Sequence, residues 1–267
     1  MVRRQRLDRE LLRLGLARSR AQAERLILDQ QVTVNGAVAL KPAHLVAASD
    51  AIAVSGAGQW RSRGYDKLQG ALEETQLGVA DAQCLDVGAS TGGFVQALLD
   101  AGARCVVAVD VGTAQLDAKL RTDERVRVYE QTDIRSFISP FAAPPDLITV
   151  DVSFISVTKI AAALGRLAGP DTQLLVLIKP QFEVERAIAS KHRGVIRDAV
   201  VHEQVLTSVL GGLAQHGLIA TAVLPSKRRG AKGNQEYFAH LYHGELMNIE
   251  SEDSPWQALI AQALGGH

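Results

Sequence analysis

The alternation of residue types predicts an α/β chain. A doubly wound, mostly parallel sheet is expected over residues 65–267, after a small α+β module at 1–58 and a linker at 59–64. Three observations carry this. From residue 80 onward, short apolar runs alternate with amphipathic stretches of roughly 10–15 residues, the pattern of strands joined by crossover helices. The first of those runs ends in a glycine-rich turn, Asp86 to Phe94. Eight arginines fall between Arg3 and Arg25, so a compact basic segment precedes the alternating part.

Each element has a local reason. Residues 6–15 and 19–30 read as short helices. Leu7, Leu11, Leu12 and Leu14 recur at helical spacing, Gly15 ends the first helix, and Ser19 caps the second, whose stripe is Ala23, Leu26 and Ile27. VTVNG alternates into the tight turn Asn35-Gly36, and AVALKP and IAVSG supply further short strands. GAGQWRS at 56–62 lacks periodicity. CLDVGA, RCVVAVD, RVRVYE, DLITVDV and QLLVLIKP then read as strands. GGFVQALLDAG, TAQLDAKLR, ISVTKIAAALGRLA and AVVHEQVLTSVLGGLAQHG read as helices, the first and last stopped by Gly102 and Gly217. LIATAVLP and QEYFAHLYH close the sheet as an antiparallel hairpin on its edge.

Composition narrows the classes. At 47% hydrophobic and 22% charged, the 267 residues can bury a full core, which excludes disorder as the main state. Cys84 and Cys105, both in apolar runs, exclude a disulfide scaffold and point to a reducing, cytoplasmic compartment. No apolar run approaches the ~18 residues of a membrane span, and the basic N-terminus lacks the apolar stretch of a signal peptide. No metal-ligand spacing is visible.

Net charge is zero, 29 basic against 29 acidic residues, which by itself argues against a nucleic-acid partner. The sum hides an asymmetry. Residues 1–60 hold nine basic side chains (eight Arg and Lys41) against five acidic ones, leaving 20 against 24 for the rest. Arginine suits planar, bidentate phosphate contacts. The RNA-binding candidates are therefore Arg4, Arg6, Arg18, Arg20, Arg25 and Lys41, with Arg63 near the linker. A second basic cluster, Lys227, Arg228, Arg229 and Lys232, stands just before Glu236.

The glycine-rich turn runs Asp86-Val87-Gly88-Ala89-Ser90-Thr91-Gly92-Gly93-Phe94. Such a strand-to-helix turn lets backbone approach a ligand closely. It is neither the dinucleotide spacing nor a P-loop, so a ligand without phosphates is expected. Asp110 ends the second strand, 22 residues after Gly88, where a carboxylate accepts hydrogen bonds from ribose hydroxyls. Asp133, after the third strand, is placed to reach an adenine edge or to cap a turn. This set fits S-adenosylmethionine, with Asp86 near the cationic end of that cofactor and Asp151 at its rim.

Catalytic candidates lie at the strand ends, where open sheets place ligands. Asp151 ends LITVDV, Lys179 ends LLVLIK, and Glu236 opens the last strand. Lys179 closes a buried run although lysine is rarely buried without a partner. Lys67 starts a helix ahead of the first strand. Spacing alone does not join these four.

The motifs do. R-L-D at 6–8, Ala17-Arg18-Ser19-Arg20, Val34-Asn35-Gly36 and Lys41-Pro42 resemble the S4 RNA-binding domain over about residues 5–55. From residue 61 onward the chain resembles the FtsJ-type 2′-O-ribose methyltransferases, and most closely the TlyA family, often labelled hemolysin A. The carrying segments are S-R-G-x-x-K-L at 62–68, D-V-G-A-S-T-G-G-F at 86–94, V-D-V-G-x-x-Q-L at 109–116, V-D-V-S-F-I-S at 150–156, L-I-K-P-Q-F-E at 177–183, G-V-I-R-D at 194–198 with His202, and G-x-x-G-N-Q-E-Y-F at 230–238. The resemblance implies a Rossmann-like, S-adenosylmethionine-dependent methyltransferase sheet behind an S4-like domain. It implies 2′-O-methylation of ribosomal RNA, of cytidine in 16S or 23S RNA or both, by a Lys-Asp-Lys-Glu tetrad carried onto Lys67, Asp151, Lys179 and Glu236. Tyr65-Asp66 departs from the small or neutral residues usual before the first lysine.

That chemistry suits the residue types. A ribose 2′-hydroxyl must lose its proton while held in line with the methyl–sulfur bond. Lys179 is expected to orient it and to help remove or stabilise its proton, as base or as positioning group, with Lys67 as a neighbouring cation and Asp151 and Glu236 positioning the lysines. A non-catalytic ribosome-binding protein is the alternative, which the intact tetrad and glycine loop oppose. A cytolysin is a further one, and no amphipathic spanning segment supports it.

Overall fold

The computed structural model describes residues 4–17, 20–28, 30–54, 62–185, 192, 194–230, 232–244 and 256–265. The chain divides into two compact units, Met1–Arg63 and Gly64–His267. Half of the linker expected at 59–64, residues 59–61, lies outside the described residues. Its end differs from expectation, because a helix already begins at Arg63.

In the first unit, β1 (Arg4–Arg6) leads directly into α1 (Leu7–Arg13), and α2 (Arg20–Leu28) follows. Leu7, Leu11, Ala23 and Ile27, the apolar stripes of the two helices, pack with Val32, Val34 and Val46 into one small core. β2 (Val32–Val34) pairs with β3 (Ala37–Val38) across the Asn35-Gly36 turn, where both residues take positive φ, and with β5 (Ile52–Val54) on its other side. β4 (Leu45–Ala47) pairs with β1. These two strands have no clear signal in the sequence, since each is three residues long and carries no alternation to read.

The second unit opens with α3 (Arg63–Thr75) and builds a seven-stranded sheet. Its strands are β6 (Gln83–Val87), β7 (Cys105–Val109), β8 (Val126–Tyr129), β9 (Leu147–Val150), β10 (Gln173–Ile178), β11 (Leu218–Pro225) and β12 (Tyr237–His243). They lie in the order β11-β12-β10-β9-β6-β7-β8. The five from β10 to β8 are parallel; β12 runs antiparallel to β10, and β11 to β12, so the closing hairpin inserts with its second strand inward. The order reverses beside β6, which has β7 on one side and β9 on the other. Open α/β sheets bind ligands at such a switch point.

The crossover helices are α4 (Gly93–Asp100), α5 (Ala118–Thr122), α6 (Ala161–Leu167) behind a 3-10 turn at Val157–Lys159, α7 (Pro180–Glu183), α8 (Ala199–Ala214) and α9 (Gln257–Gly265). α5 is shorter than TAQLDAKLR suggests, because the Asp117 side chain caps it only from Ala118 onward. Pro180 does not simply end a strand: it opens α7, where its fixed φ suits a first helical turn.

Strand alternation divides the core into two layers. Leu174, Val176 and Ile178 of β10 face one layer, with Leu85, Val107 and Val150; Leu175 and Leu177 face the other, with Val106, Phe238 and Leu68 of α3. Cys84 is fully buried among the second layer, and Cys105 is half-buried.

Candidate active site

The same alternation aims three of the candidates to one side. Val150, Ile178 and Tyr237 belong to the first layer. Asp151 and Lys179, which follow the first two, and Glu236, which precedes the third, therefore turn toward the layer packed by α3. On α3, Tyr65 and Leu68 face that layer, and Lys67 is buried beside them. Four residues from four distant segments thus converge because each sits one step beyond a core position.

They meet as two ion pairs. Lys67 Nζ donates to Glu236 Oε2 at 2.5 Å, both side chains being nearly inaccessible. Lys179 Nζ stands 2.5 Å from Asp151 Oδ1 and donates to Ser153 Oγ at 2.9 Å. Gln181, two residues beyond Lys179, donates from Nε2 to Glu236 Oε1 at 3.0 Å and so ties the second pair's segment to the first pair. Asp66, the departure noted before Lys67, turns away from it and pairs with Arg228 at 2.9 Å, while Tyr65 donates its hydroxyl to Asp100.

The glycine loop lies at the end of β6. Gly88 has φ +87°, and a Cβ there would stand 2.7 Å from the Asp151 carbonyl oxygen, so the loop packs its backbone directly against the candidate catalytic strand. Gly92 has φ +95° and forms the left-handed entry to α4. Ser90 N and Gly112 N donate to the two oxygens of Asp110, at 2.8 and 2.6 Å. The carboxylate of Asp110 is thereby fixed between two loops with lone pairs to spare. Thr91 and Gly93 complete the turn.

Four cofactor candidates are engaged by the protein's own residues. Asp86 is fully buried beneath the loop rather than open to a cationic ligand, because it lies within β6 between two strands. Its Oδ1 accepts from the Thr149 hydroxyl at 2.7 Å, Oδ2 has no hydrogen-bond partner among the described residues, and burial pushes its pKa up to about 8. Phe94 turns into the core and stacks on Phe238, since it is the first inward position of α4. Ala89 is likewise buried. Asp133 caps its own turn, accepting from Arg135 N and pairing with the Arg135 guanidinium.

Other groups take roles that the sequence did not assign to them. Glu130, at the end of β8, accepts from Ala114 N, Gln115 N and Leu116 N and pairs with Arg121, so it pins the loop that follows Asp110. Burial opposes its charge, but these bonds outweigh it and hold the carboxyl below its ordinary range. An acid closing a strand was the available signal. Phe154, three residues after Asp151, is 88% exposed with φ +66° and packs against Phe182, whose ring lies under Lys179. Asn234 bonds both Gly194 O and Ile196 N, and His202 bridges Tyr237 and Ile196 O, which anchors the G-V-I segment next to Glu236.

The basic candidates divide. Arg6 and Arg20 both pair with Asp8, which is fully buried, and remain partly exposed. Arg4 and Lys41 are exposed, Arg63 opens α3, Arg18 lies outside the described residues, and for Arg25 only the backbone is described. Lys227 lies near Glu73 and Glu74, Arg228 pairs with Asp66, Arg229 reaches Gly233 O, and Lys232 is exposed.

A mostly parallel sheet with a glycine loop at its switch point, one lysine–carboxylate pair at the ends of β9 and β10 and a second between α3 and the start of β12 form the site of an α/β enzyme of the methyltransferase class. The FtsJ-like methyltransferase family matches residues 60–243 and the S4 domain matches residues 5–52. The chain belongs to the FtsJ-like methyltransferase family, in its TlyA branch. It is 43% identical to the 16S/23S rRNA (cytidine-2′-O)-methyltransferase TlyA of Mycobacterium tuberculosis, covering 90% of this chain and 91% of that protein. It is 39% identical to Hemolysin A of Brachyspira hyodysenteriae, covering 88% and 98%. Among solved structures, a Streptococcus thermophilus protein carrying a hemolysin label superposes with a TM-score of 0.72 at 34% identity, over 98% of this chain and 96% of that one. Among the described residues, no helix is long and apolar enough to cross a membrane.

Proposed function

We propose that this chain methylates the 2′-hydroxyl of cytidine ribose in ribosomal RNA, with S-adenosylmethionine as methyl donor. The observation that carries the reading is the meeting of Lys67–Glu236 and Lys179–Asp151 at the strand ends beside the glycine loop.

The residues present fit that donor. Gly88 and Gly92 let the loop close tightly, against the Asp151 backbone and the Leu116 and Leu120 side chains, beside the place the donor would take. Asp110, held by two amides, would take the ribose hydroxyls, and the exposed Val111 beside it offers an apolar face to the adenine. Asp151 would border the methyl end. When bound, the cofactor supplies an electrophilic methyl group on a sulfonium.

The chain's own residues do the rest. An ammonium has three donors. Lys179 gives one to Ser153 and stands in ion contact with Asp151, which leaves at least one for the ribose hydroxyl oxygen. That contact holds the oxygen in line and stabilises the negative charge that grows as its proton passes to solvent water. Lys67, held by Glu236, supplies a second positive charge to the same region. Asp151 and Glu236 keep both ammonium groups in place. The exposed Phe154 ring supports an unstacked base, since single-stranded bases stack on aromatic faces. Arg4, Arg6, Arg20, Lys41 and Lys232 would contact phosphates.

The test is transfer of a labelled methyl group to purified, unmodified ribosomal subunits, followed by mapping of the modified nucleotide. Label on a cytidine 2′-oxygen is expected. No label in any ribosomal RNA would overturn the reading.

A further inference from the structure

The segment Lys179-Pro180-Gln181-Phe182-Glu183 carries one side chain that the tetrad leaves without a role. Gln181 Nε2 donates to Glu236 Oε1 at 3.0 Å, while Lys67 holds Oε2 at 2.5 Å. Gly230 closes the same oxygen from behind, since a Cβ there would collide with Oε1. The carboxylate is therefore confined on both oxygens, and Glu236 is only 2% exposed.

The orientation of the amide follows from chemistry. A carboxylate only accepts, so the NH2 of Gln181 must face it. This leaves Gln181 Oε1 buried without a hydrogen-bond partner among the described residues. An orphaned buried acceptor is a standing cost. The amide keeps this orientation because a hydrogen bond to a charged group is the stronger of the two kinds.

We propose that Gln181 is a positioning residue for methyl transfer: it fixes the Glu236 carboxylate and, through it, the place of the Lys67 ammonium. The proposal rests on the methyltransferase reading of this site. Lysine carries its charge on a flexible four-carbon stem, so a carboxylate free to rotate would let Lys67 wander. With Oε1 pinned, Oε2 has one position and so has Nζ. One short turn then sets both lysines: Lys179 by its own backbone, and Lys67 by relay through Gln181 and Glu236.

Gln181→Met keeps the side-chain volume and removes the amide. Its kcat for ribosomal RNA should fall about tenfold while KM for S-adenosylmethionine stays within about twofold, the pattern of a contact that matters in the transition state. The double variant with Glu236→Ala should be no slower than Glu236→Ala alone, because Gln181 acts through that carboxylate. An unchanged kcat in Gln181→Met, or losses that multiply in the double variant, would overturn the proposal. A second readout needs no turnover. In protein labelled with carbon-13 at glutamate carboxyls, the Glu236 resonance, identified by its loss in Glu236→Gln, should shift in Gln181→Met. A resonance that stays in place overturns the contact whatever the substrate. A shifted resonance in an enzyme whose parent methylates no ribosomal RNA would support the contact and sink the substrate assignment instead.

Discussion

Lys179 Nζ and Asp151 Oδ1 stand 2.5 Å apart at the ends of two adjacent parallel strands, β10 and β9. Register brings them together: Val176 pairs with Val150, so each strand reaches the sheet edge within a residue or two of the other. The pair is mostly buried, and a cation is kept there although lysine loses hydration on burial. Lys179→Ala should lower kcat about 10²–10³-fold, the range for removing one preorganised donor to a developing oxyanion. Its affinity for S-adenosylmethionine, read by calorimetry, should stay within a few-fold. Unchanged turnover would remove Lys179 from the mechanism.

Gly88 tests the contact between loop and catalytic strand. A methyl group there meets the Asp151 carbonyl oxygen at 2.7 Å and its carbon at 2.9 Å, and the φ of +87° adds strain. Both obstacles are backbone and cannot rotate away. Gly88→Ala should destabilise the protein by about 1–3 kcal/mol in denaturant titration and lower S-adenosylmethionine affinity at least tenfold. Parent-like values for both would mean the loop lies further from Asp151.

Asp86 makes a pH prediction. Its folded pKa, about 8, lies above its unfolded value of 3.8, chiefly through burial. Between those values the unfolded chain has released a proton that the folded chain still binds, so this group's contribution to stability falls as pH rises toward and through 8. Asp86→Asn keeps an oxygen for the Thr149 hydroxyl and cannot ionise. The melting temperature of the variant relative to the parent should therefore rise from pH 6 to pH 9. A difference that is flat with pH would show that Asp86 ionises normally in the folded state.

Glu130 acts in the opposite sense. Despite burial, its bonds to the backbone of residues 114–116 and to Arg121 lower its folded pKa. Its stabilising contribution is thus present above the unfolded value near 4.5 and is lost as pH falls through the folded one. Glu130→Gln cannot accept all four bonds with a full charge. The Kd for S-adenosylmethionine should rise about three- to tenfold, because the loop after Asp110 loosens, with kcat at saturation changed less than about twofold. A large drop in kcat with unchanged Kd would contradict this role.

The arginine face is testable by salt. Arg6 and Arg20 converge on the buried Asp8, yet each keeps part of its guanidinium exposed. Arg20→Ala should weaken binding to ribosomal RNA about equally across sequences. It should also reduce the slope of log K against log salt by about 1, the loss of one phosphate contact. An unchanged slope would place Arg20 off the RNA path.

Much of this was legible from residue order. Short apolar runs marked every strand of the large sheet, and Gly102, Gly217 and Asn35-Gly36 marked turns that the backbone takes with positive φ. Lys67, Asp151, Lys179 and Glu236 were singled out by motif, but nothing in their spacing said which lysine meets which acid. Gln181 stood inside a quoted motif without a role, because a hydrogen bond to a residue 55 positions away leaves no local trace. The burial of Asp86 and Phe94 was not legible for a related reason: a motif names residues but not the face each one presents.

Sequence by itself determined the strands of the large sheet and the chemical types at the strand ends, since these depend on short-range patterning and turn chemistry. The tertiary structure alone decided the pairings, Lys67 with Glu236 and Lys179 with Asp151, and the burial of Asp86. Those outcomes are set by strand order, register and the depth of each layer, which are properties of long-range packing and exist only once the sheet has closed around its core.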